Sequence, residues 1–232
     1  MNMISPSMIP PPFDVQNLNE ASPMARLQAI IAGTDAARIA GQAQGVVSQY
    51  DANRPPSENF LLSPGVQSCV AVTVYDPAAR RGGMYHVDTS VRPLIQDMVV
   101  KVERDFDLKK PLEIKFSGGQ NQMSWCCCPG PGGIGVNLRL EEALADAVQQ
   151  PEKGVCSTET DIVAMDLADG KLHCFRAGAV SASLSLLIMD TKLALNESQE
   201  YRDRLAFANT GPGITEDNYQ PWMNMTIKRS RI

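Results

Sequence analysis

The sequence lacks clustered positive charge. It has 21 Lys and Arg residues against 26 Asp and Glu residues, for a formal net charge of −5. Because binding to phosphate backbones needs clustered Lys and Arg, this balance argues against nucleic acid as the main partner. The single basic cluster, at residues 228–231, is typical of a solvated tail.

Long apolar runs are also missing. No stretch approaches the roughly 20 apolar residues that a membrane-spanning helix needs, so we expect no stable membrane insertion. The N-terminus has no positively charged region followed by an apolar core, so we expect no cleaved secretory signal peptide.

Motifs for metals and cofactors are absent as well. Three of the six cysteines are consecutive, at Cys126, Cys127 and Cys128, whereas zinc motifs usually separate their thiolates by two to four residues. A surface loop is the better interpretation of that run. The glycine-rich stretch at 130–135 lacks the Lys-Ser/Thr of a phosphate loop. We therefore predict no metal and no cofactor, and a reducing cytoplasm as the working compartment.

The composition changes near residue 58. Residues 1–22 are rich in Met, Asn, Ser and Pro, and residues 1–58 as a whole predict a largely flexible, Pro- and Ser-rich polar leader. Within it, apolar residues at helical spacing predict one short helix, with Ser22 as N-cap and Pro23 in the first turn. A Pro-rich linker at 54–57 precedes the expected ordered domain, residues 59–232, which ends in a C-terminal extension.

The expected domain mixes strands with helices. Apolar alternation and helical periodicity predict strands at residues 70–75, 84–87, 112–116, 162–167, 171–176 and 183–189, and helices at residues 89–106, 137–148 and 197–208. Because these elements do not repeat as βαβ units, the pattern indicates an α+β fold.

Cys69 and His86 are the candidate catalytic pair. Cys69 begins an apolar strand pattern at 70–75, and His86 follows the Asp-Pro and Gly-Gly pairs at 76–77 and 82–83, which predict a chain reversal. A returning strand would place the imidazole beside the thiol. Free cysteine has a pKa of about 8.5, and a neighbouring imidazole can generate the reactive thiolate.

These residues resemble the CheD family of chemoreceptor glutamine deamidases, which is related in catalytic architecture to the deamidase domain of the cytotoxic necrotizing factor toxins. The likeness spans roughly residues 60 to 176. Its motifs are Ser-Cys-Val-Ala-Val at 68–72, Tyr-Asp-Pro at 75–77, Gly-Gly-Met-Tyr-His at 82–86, Asp-Thr-Ser-Val at 88–91, Lys-Phe-Ser-Gly-Gly at 115–119 and Ile-Gly-Val-Asn at 134–137.

The resemblance implies a layered β-sandwich-like core with helices packed on it. It also implies a Cys/His thioester mechanism, with Cys69 as nucleophile and His86 as general base and acid. The family completes a triad with a threonine six positions before the cysteine; here Ser63 stands there and keeps the hydroxyl. The family's Gly-Gly-Asn-Arg-type segment is not evident near residues 156–161, so its substrate contacts are not carried over.

A structural interpretation competes with the catalytic one. A cysteine in a valine-rich strand is usually a small buried hydrophobe, and a lone histidine is often a satisfied strand residue. The motif spacing favours catalysis. His173, the other histidine, alternates with Leu172 and Cys174 in a hairpin; we expect it to be structural and regard it as the backup base.

The resemblance therefore predicts conversion of glutamine to glutamate on a protein target, which would be a host signalling protein or a chemoreceptor. The long polar leader slightly favours a secreted bacterial effector or toxin, acting in a host cytoplasm, over a chemotaxis enzyme in the bacterial cytoplasm. A non-catalytic protein-binding module on the same fold and transglutamination, in which an amine replaces water at the thioester, remain open alternatives.

Overall fold

The computed structural model describes residues 21–66, 69–87, 92–118, 154–155, 160–176, 189, 192–193 and 226–229. This part of the chain contains two α-helices, α1 (Pro23–Gly33) and α2 (Arg92–Asp105), and nine strands. The strands are β1 (Gln44–Gln49), β2 (Phe60–Pro64), β3 (Val70–Asp76), β4 (Arg81–Val87), β5 (Glu113–Gly118), β6 (Gly154–Val155), β7 (Thr160–Asp166), β8 (Leu172–Arg176) and β9 (Thr226–Arg229).

Several predicted features lie outside the described residues. These are the helices at 137–148 and 197–208, the cysteines at 126–128, and residues 183–188 of a predicted strand. Met189, the last residue of that strand prediction, is helical and packs in the apolar cluster beneath α1. Across the described ranges, no helix is both long enough and apolar enough to cross a membrane.

The strands form two sheets. The larger has the order β6-β5-β3-β4-β1-β9, and the smaller has the order β2-β7-β8. Neighbouring strands run antiparallel except in the β5–β6 and β1–β9 pairs, which are parallel. The fold is thus α+β, with a layered two-sheet core and helices packed on it, which confirms the predicted fold class.

Side-chain alternation along β3 divides the large sheet into two apolar faces. Val70, Val72 and Val74 pack against α2 through Met98 and Val102. The opposite face meets the small sheet in what we call the intersheet layer. Its buried residues are Ala40, Val46, Leu61, Val66, Ala71, Tyr75, Met84, Val163, Met165 and Leu167.

Helix α1 covers the outer face of the small sheet. It buries Leu27 and Ile30 against Leu62, Ile162 and neighbouring apolar side chains. Its first turn forms as the sequence predicts, since the Ser22 hydroxyl accepts a hydrogen bond from the Ala25 amide at 3.3 Å. Residues that look like leader in the sequence therefore supply one layer of the fold.

The sequence-based boundary at residue 58 differs from this arrangement. β1 lies within the expected leader, yet it pairs with β4 on one side and β9 on the other. Its only apolar pair, Val46 and Val47, is buried. Two valines among Gln, Gly and Ser give a weak local strand signal, so pairing along both edges, rather than propensity, stabilises this strand.

The Gly-Gly pair predicted to mark a reversal instead lies inside β4. The hairpin turn comes earlier, because Asp76 already pairs with Arg81. A Cβ at Gly82 would lie 2.4 Å from Met165 and 2.6 Å from Leu167, both in the intersheet layer. Glycine at this position therefore permits the close approach of the two sheets.

The basic C-terminal cluster is not a solvated tail where the structure describes it. Residues 226–229 form β9 at the edge of the large sheet. The Arg229 guanidinium donates to one carboxylate oxygen of Asp105 at 2.8 and 3.0 Å, and the Asp105 side chain is 3% exposed. A buried carboxylate needs such a partner, which anchors the strand on α2.

Two glycines with positive φ offer a matched test of how closely the Tyr75 ring packs against the backbone. Gly65 (φ 69°) has open space where a Cβ would lie, whereas a Cβ at Gly170 (φ 73°) would lie 2.3 Å from the Tyr75 ring. We expect Gly65→Ala to lower the free energy of unfolding by about 1–2 kcal/mol, through backbone strain alone. Gly170→Ala should cost about 1–3 kcal/mol more, because the ring must also move. Urea unfolding of both variants measures the difference; equal losses would contradict the close contact.

Candidate active site

Ser63 and His86 meet in the core of the protein. Ser63 lies on β2 in the small sheet and His86 on β4 in the large sheet, and their Oγ and Nδ1 atoms are 3.0 Å apart. Both residues are buried, at 0% and 2% exposure. This hydrogen bond joins the two sheets across a layer that is otherwise largely apolar.

The contact belongs to two facing rows of three residues, one row from each sheet. In the large sheet the row is His86, Ala71 and Ser117. In the small sheet the row is Ser63, Val163 and Cys174. The middle members share the intersheet layer, and the last members are in contact, with Ser117 Oγ 3.9 Å from Cys174 Sγ. Polar groups thus flank one apolar pair on both sides.

Cys69 adjoins the first residue of β3 and precedes Ala71 by two positions. Cys69 itself lies at a bend just outside the strand. Extending the alternation of β3 by one residue predicts position 69 on the face of Ala71, and so of His86, which pairs with Ala71. The strand register therefore brings position 69 near the Ser63–His86 contact.

The hydrogen bonds of Ser63 indicate which imidazole nitrogen carries the proton. The Ser63 hydroxyl donates to the carbonyl oxygen of Ala40 at 3.2 Å. We assign the single hydroxyl proton to this bond, so that Ser63 accepts a hydrogen bond from Nδ1–H of His86. This assignment leaves Nε2 without a proton. In this tautomer of the ring, Nε2 can accept a proton from a thiol.

Burial dominates the electrostatics of this histidine. Loss of solvation lowers the pKa of His86 to about 4, and the Ala40 carbonyl opposes this effect only in part. The imidazole is consequently neutral at pH 7, as a general base must be. A preformed thiolate–imidazolium pair is not favoured in so apolar an environment.

The site is closed in this structure. Cys69 is 1% exposed, and Nε2 of His86 has no hydrogen-bond partner among the residues that the structure describes. The Sγ–Nε2 hydrogen bond of an assembled dyad is therefore not formed. Catalytic hydrogen bonds often form only when substrate is bound. A substrate must nevertheless displace covering chain before it reaches Sγ.

His173 occupies a different part of the fold. Its neighbour Cys174 faces the intersheet layer, so alternation along β8 puts His173 on the outer face of the small sheet. There its ring packs near Phe60, with ring centroids 5.9 Å apart, and burial lowers its pKa. This position agrees with the structural role. It places His173 on the face of the small sheet opposite the candidate site, where it cannot act as the backup base.

Sequence reasoning did not assign a role to three residues of this region. Ala40 acts through its backbone carbonyl, which any residue has. Ser117 and Cys174 are brought together only by packing of the two sheets. Alternation along β5 and β8 could have assigned each residue to a face, but not the contact between them. No group of three His, Cys, Asp or Glu side chains in the described ranges is arranged to hold a metal ion.

Comparison with known proteins adds no relative: neither a family model nor a curated protein sequence matches this chain.

The low pKa of His86 predicts a specific pH dependence of stability. The unfolded chain takes up a proton near pH 6.5 and the folded one only near pH 4, so stability is complete above pH 6.5 and falls as the pH drops through this window. The loss should reach about 2 kcal/mol at pH 5. Urea unfolding at pH 7.5 and pH 5 should show a smaller loss in His86→Gln than in the wild type. Equal pH dependence in the two proteins would contradict the buried neutral imidazole.

The tautomer assignment can be tested at Ser63. In Ser63→Ala, Nδ1–H loses its acceptor, so we expect a weaker preference for the Nδ1–H tautomer and a loss of about 1–3 kcal/mol in unfolding free energy. Imidazole ¹⁵N chemical shifts at pH 7.5 report the tautomer. Ser63→Thr retains the hydroxyl and serves as the control. An unchanged tautomer in Ser63→Ala would contradict the assignment.

Proposed function

We propose that this chain is a cysteine-dependent protein-glutamine deamidase. Cys69 is the nucleophile, His86 is the general base and acid, and Ser63 orients the imidazole. The observation that carries the proposal is the 3.0 Å contact between Ser63 and His86, and the chain that enters β3 at Cys69 supports it. The sequence resemblance to the CheD family supports the same three roles.

Each step of the reaction uses these groups. Nε2 of His86 takes the proton of the Cys69 thiol as sulfur attacks the side-chain carbonyl carbon of a glutamine. The tetrahedral intermediate collapses and releases ammonia, which takes the proton from the imidazolium. Water, deprotonated by the same nitrogen, then attacks the thioester. Glutamate leaves and the thiol recovers its proton, so one histidine serves both halves of the reaction.

Access and basicity are linked in this mechanism. A base whose pKa is about 4 is poorly matched to a thiol. Opening of the site would hydrate the imidazole and raise its pKa towards the ordinary value of about 6.5. The same movement that admits a glutamine side chain would therefore improve the base.

Burial of Cys69 favours a second candidate function, a non-catalytic binding module. A cysteine at 1% exposure that never becomes accessible is a small hydrophobe of the core. The Ser63–His86 contact would then stabilise the fold alone. The two candidates differ in one property, which is the accessibility of Sγ in solution.

The target class follows from the chemistry and from the resemblance: a carboxamide on a protein surface. The preference for an effector over a chemotaxis enzyme relied on a long separate leader. Residues 23–58 contribute α1 and β1 to the fold, so they give no support to a delivery segment. Both target groups, chemoreceptors and host signalling proteins, therefore enter the test equally.

Mass spectrometry tests the activity. We expect wild-type protein, incubated with chemoreceptor cytoplasmic domains or a eukaryotic lysate, to convert a glutamine to glutamate, a gain of about 1 Da from the exchange of –NH₂ for –OH. Cys69→Ser should abolish the change, whereas Cys174→Ser should retain it, because Cys174 contacts Ser117 rather than His86. An amine adduct in place of glutamate would indicate transglutamination. Failure to modify any target, with partner binding retained, would favour the binding module.

Alkylation rates test accessibility without knowledge of the target. If the site opens, Cys69 should react with iodoacetamide faster than Cys174 at pH 7.5, and His86→Ala should slow Cys69 by at least about tenfold through loss of the base. Peptide mapping after timed labelling gives both rates in one sample. A Cys69 rate below that of Cys174 would argue against the enzyme.

A further inference from the structure

Ala40 holds two consecutive residues of β2 by its backbone. Its amide donates to the Leu62 carbonyl at 2.7 Å, and its own carbonyl accepts from the Ser63 hydroxyl at 3.2 Å. Residue 39 also forms an isolated parallel bridge with Leu62. The direction of the Ser63 hydroxyl, and so of the His86 ring, depends on where this segment lies.

The segment is in turn held by the C-terminal strand. The Lys228 ammonium on β9 donates to the carbonyl oxygens of Ala36 at 3.3 Å and Ile39 at 3.2 Å. The Ile39 carbonyl and the Ala40 amide belong to one planar peptide unit, so a bond that fixes the first also fixes the direction of the second. Hydrogen bonds from a charged donor are stronger than neutral ones, particularly when half-buried as here.

A continuous series of contacts therefore runs from β9 to the imidazole. Lys228 binds the Ile39 carbonyl, and the peptide unit of that carbonyl ends at the Ala40 Cα. The Ala40 carbonyl, on the next peptide unit, accepts from Ser63, and Ser63 contacts Nδ1 of His86. The residues are far apart in sequence and adjacent only in the folded chain.

We propose that Lys228 is a positioning residue for His86, and that β9 completes the candidate site from the far end of the chain. Lys228 fixes Ala40, and Ala40 holds the Ser63 hydroxyl in the direction that keeps the proton on Nδ1 and leaves Nε2 as the base. The catalytic meaning of this arrangement rests on the proposed function. The effect of Lys228 on the imidazole tautomer can be measured independently of any enzymatic activity.

The neighbouring residue provides a matched control. Arg229 lies on the same strand, is also cationic, and forms its ion pair with Asp105 at the end of α2. Neighbouring side chains of a strand point to opposite faces, so Arg229 and Lys228 lie on different faces of the large sheet. Loss of Arg229 should weaken the docking of β9 without altering the environment of Ala40.

The experiment compares Lys228→Met with Arg229→Met in the full chain. We expect Lys228→Met to lower the ratio of Nδ1–H to Nε2–H tautomer at His86 by about tenfold, towards the Ser63→Ala value, as read by imidazole ¹⁵N shifts at pH 7.5. Arg229→Met should keep the wild-type ratio even where urea unfolding shows a comparable loss of stability. Lys228→Arg, which keeps a cationic donor, should restore most of the ratio.

A wild-type tautomer ratio in Lys228→Met would overturn the proposal and leave Lys228 a purely structural residue. If Lys228→Met does not fold, Lys228→Gln, which keeps one amide donor, should shift the ratio in the same direction by a smaller factor; no shift would overturn the proposal equally. Neither result depends on deamidation. Absence of activity in the wild type would overturn the proposed function alone.

Discussion

The hydrogen bond between Ser63 and His86 is the contact on which the candidate site depends. It lies in the intersheet layer, where a polar group without a partner costs about 1–3 kcal/mol. This cost favours one alignment of the two sheets, in which the row through His86 faces the row through Ser63. The contact therefore contributes to the specificity of the fold and orients the ring at the same time.

Burial has two opposing consequences for this site. It keeps His86 neutral and strengthens its hydrogen bond to Ser63, both of which suit a general base. It also separates Cys69 from solvent and makes the imidazole a weaker base than it would be in water. Under the proposed function the site must open before glutamine can bind, so the rate would depend on the free energy of opening as well as on the chemistry.

Local features of the fold could be predicted from sequence, and non-local ones could not. The Ser22 cap of α1, the β3–β4 return and the β7–β8 hairpin depend on residues close together in the chain, and the structure contains all three. β1 and β9 lack strong strand patterns and form because strands far away in sequence pair with them. The role of Gly82 could not be predicted either, because it depends on side chains of the other sheet.

The sequence by itself determined which chemistry the chain can offer: one thiol at the head of a strand, one imidazole on the returning strand, and a hydroxyl six positions before the thiol. Strand alternation and hairpin geometry are local, so they also assigned the thiol and the imidazole to one neighbourhood, whereas the hydroxyl was linked to them by the family resemblance. Only the tertiary structure decided the pairing of Ser63 with His86, the support from Ala40 and Lys228, and the low pKa of the ring. These properties arise where two sheets meet and exclude water, and no local pattern encodes such a contact.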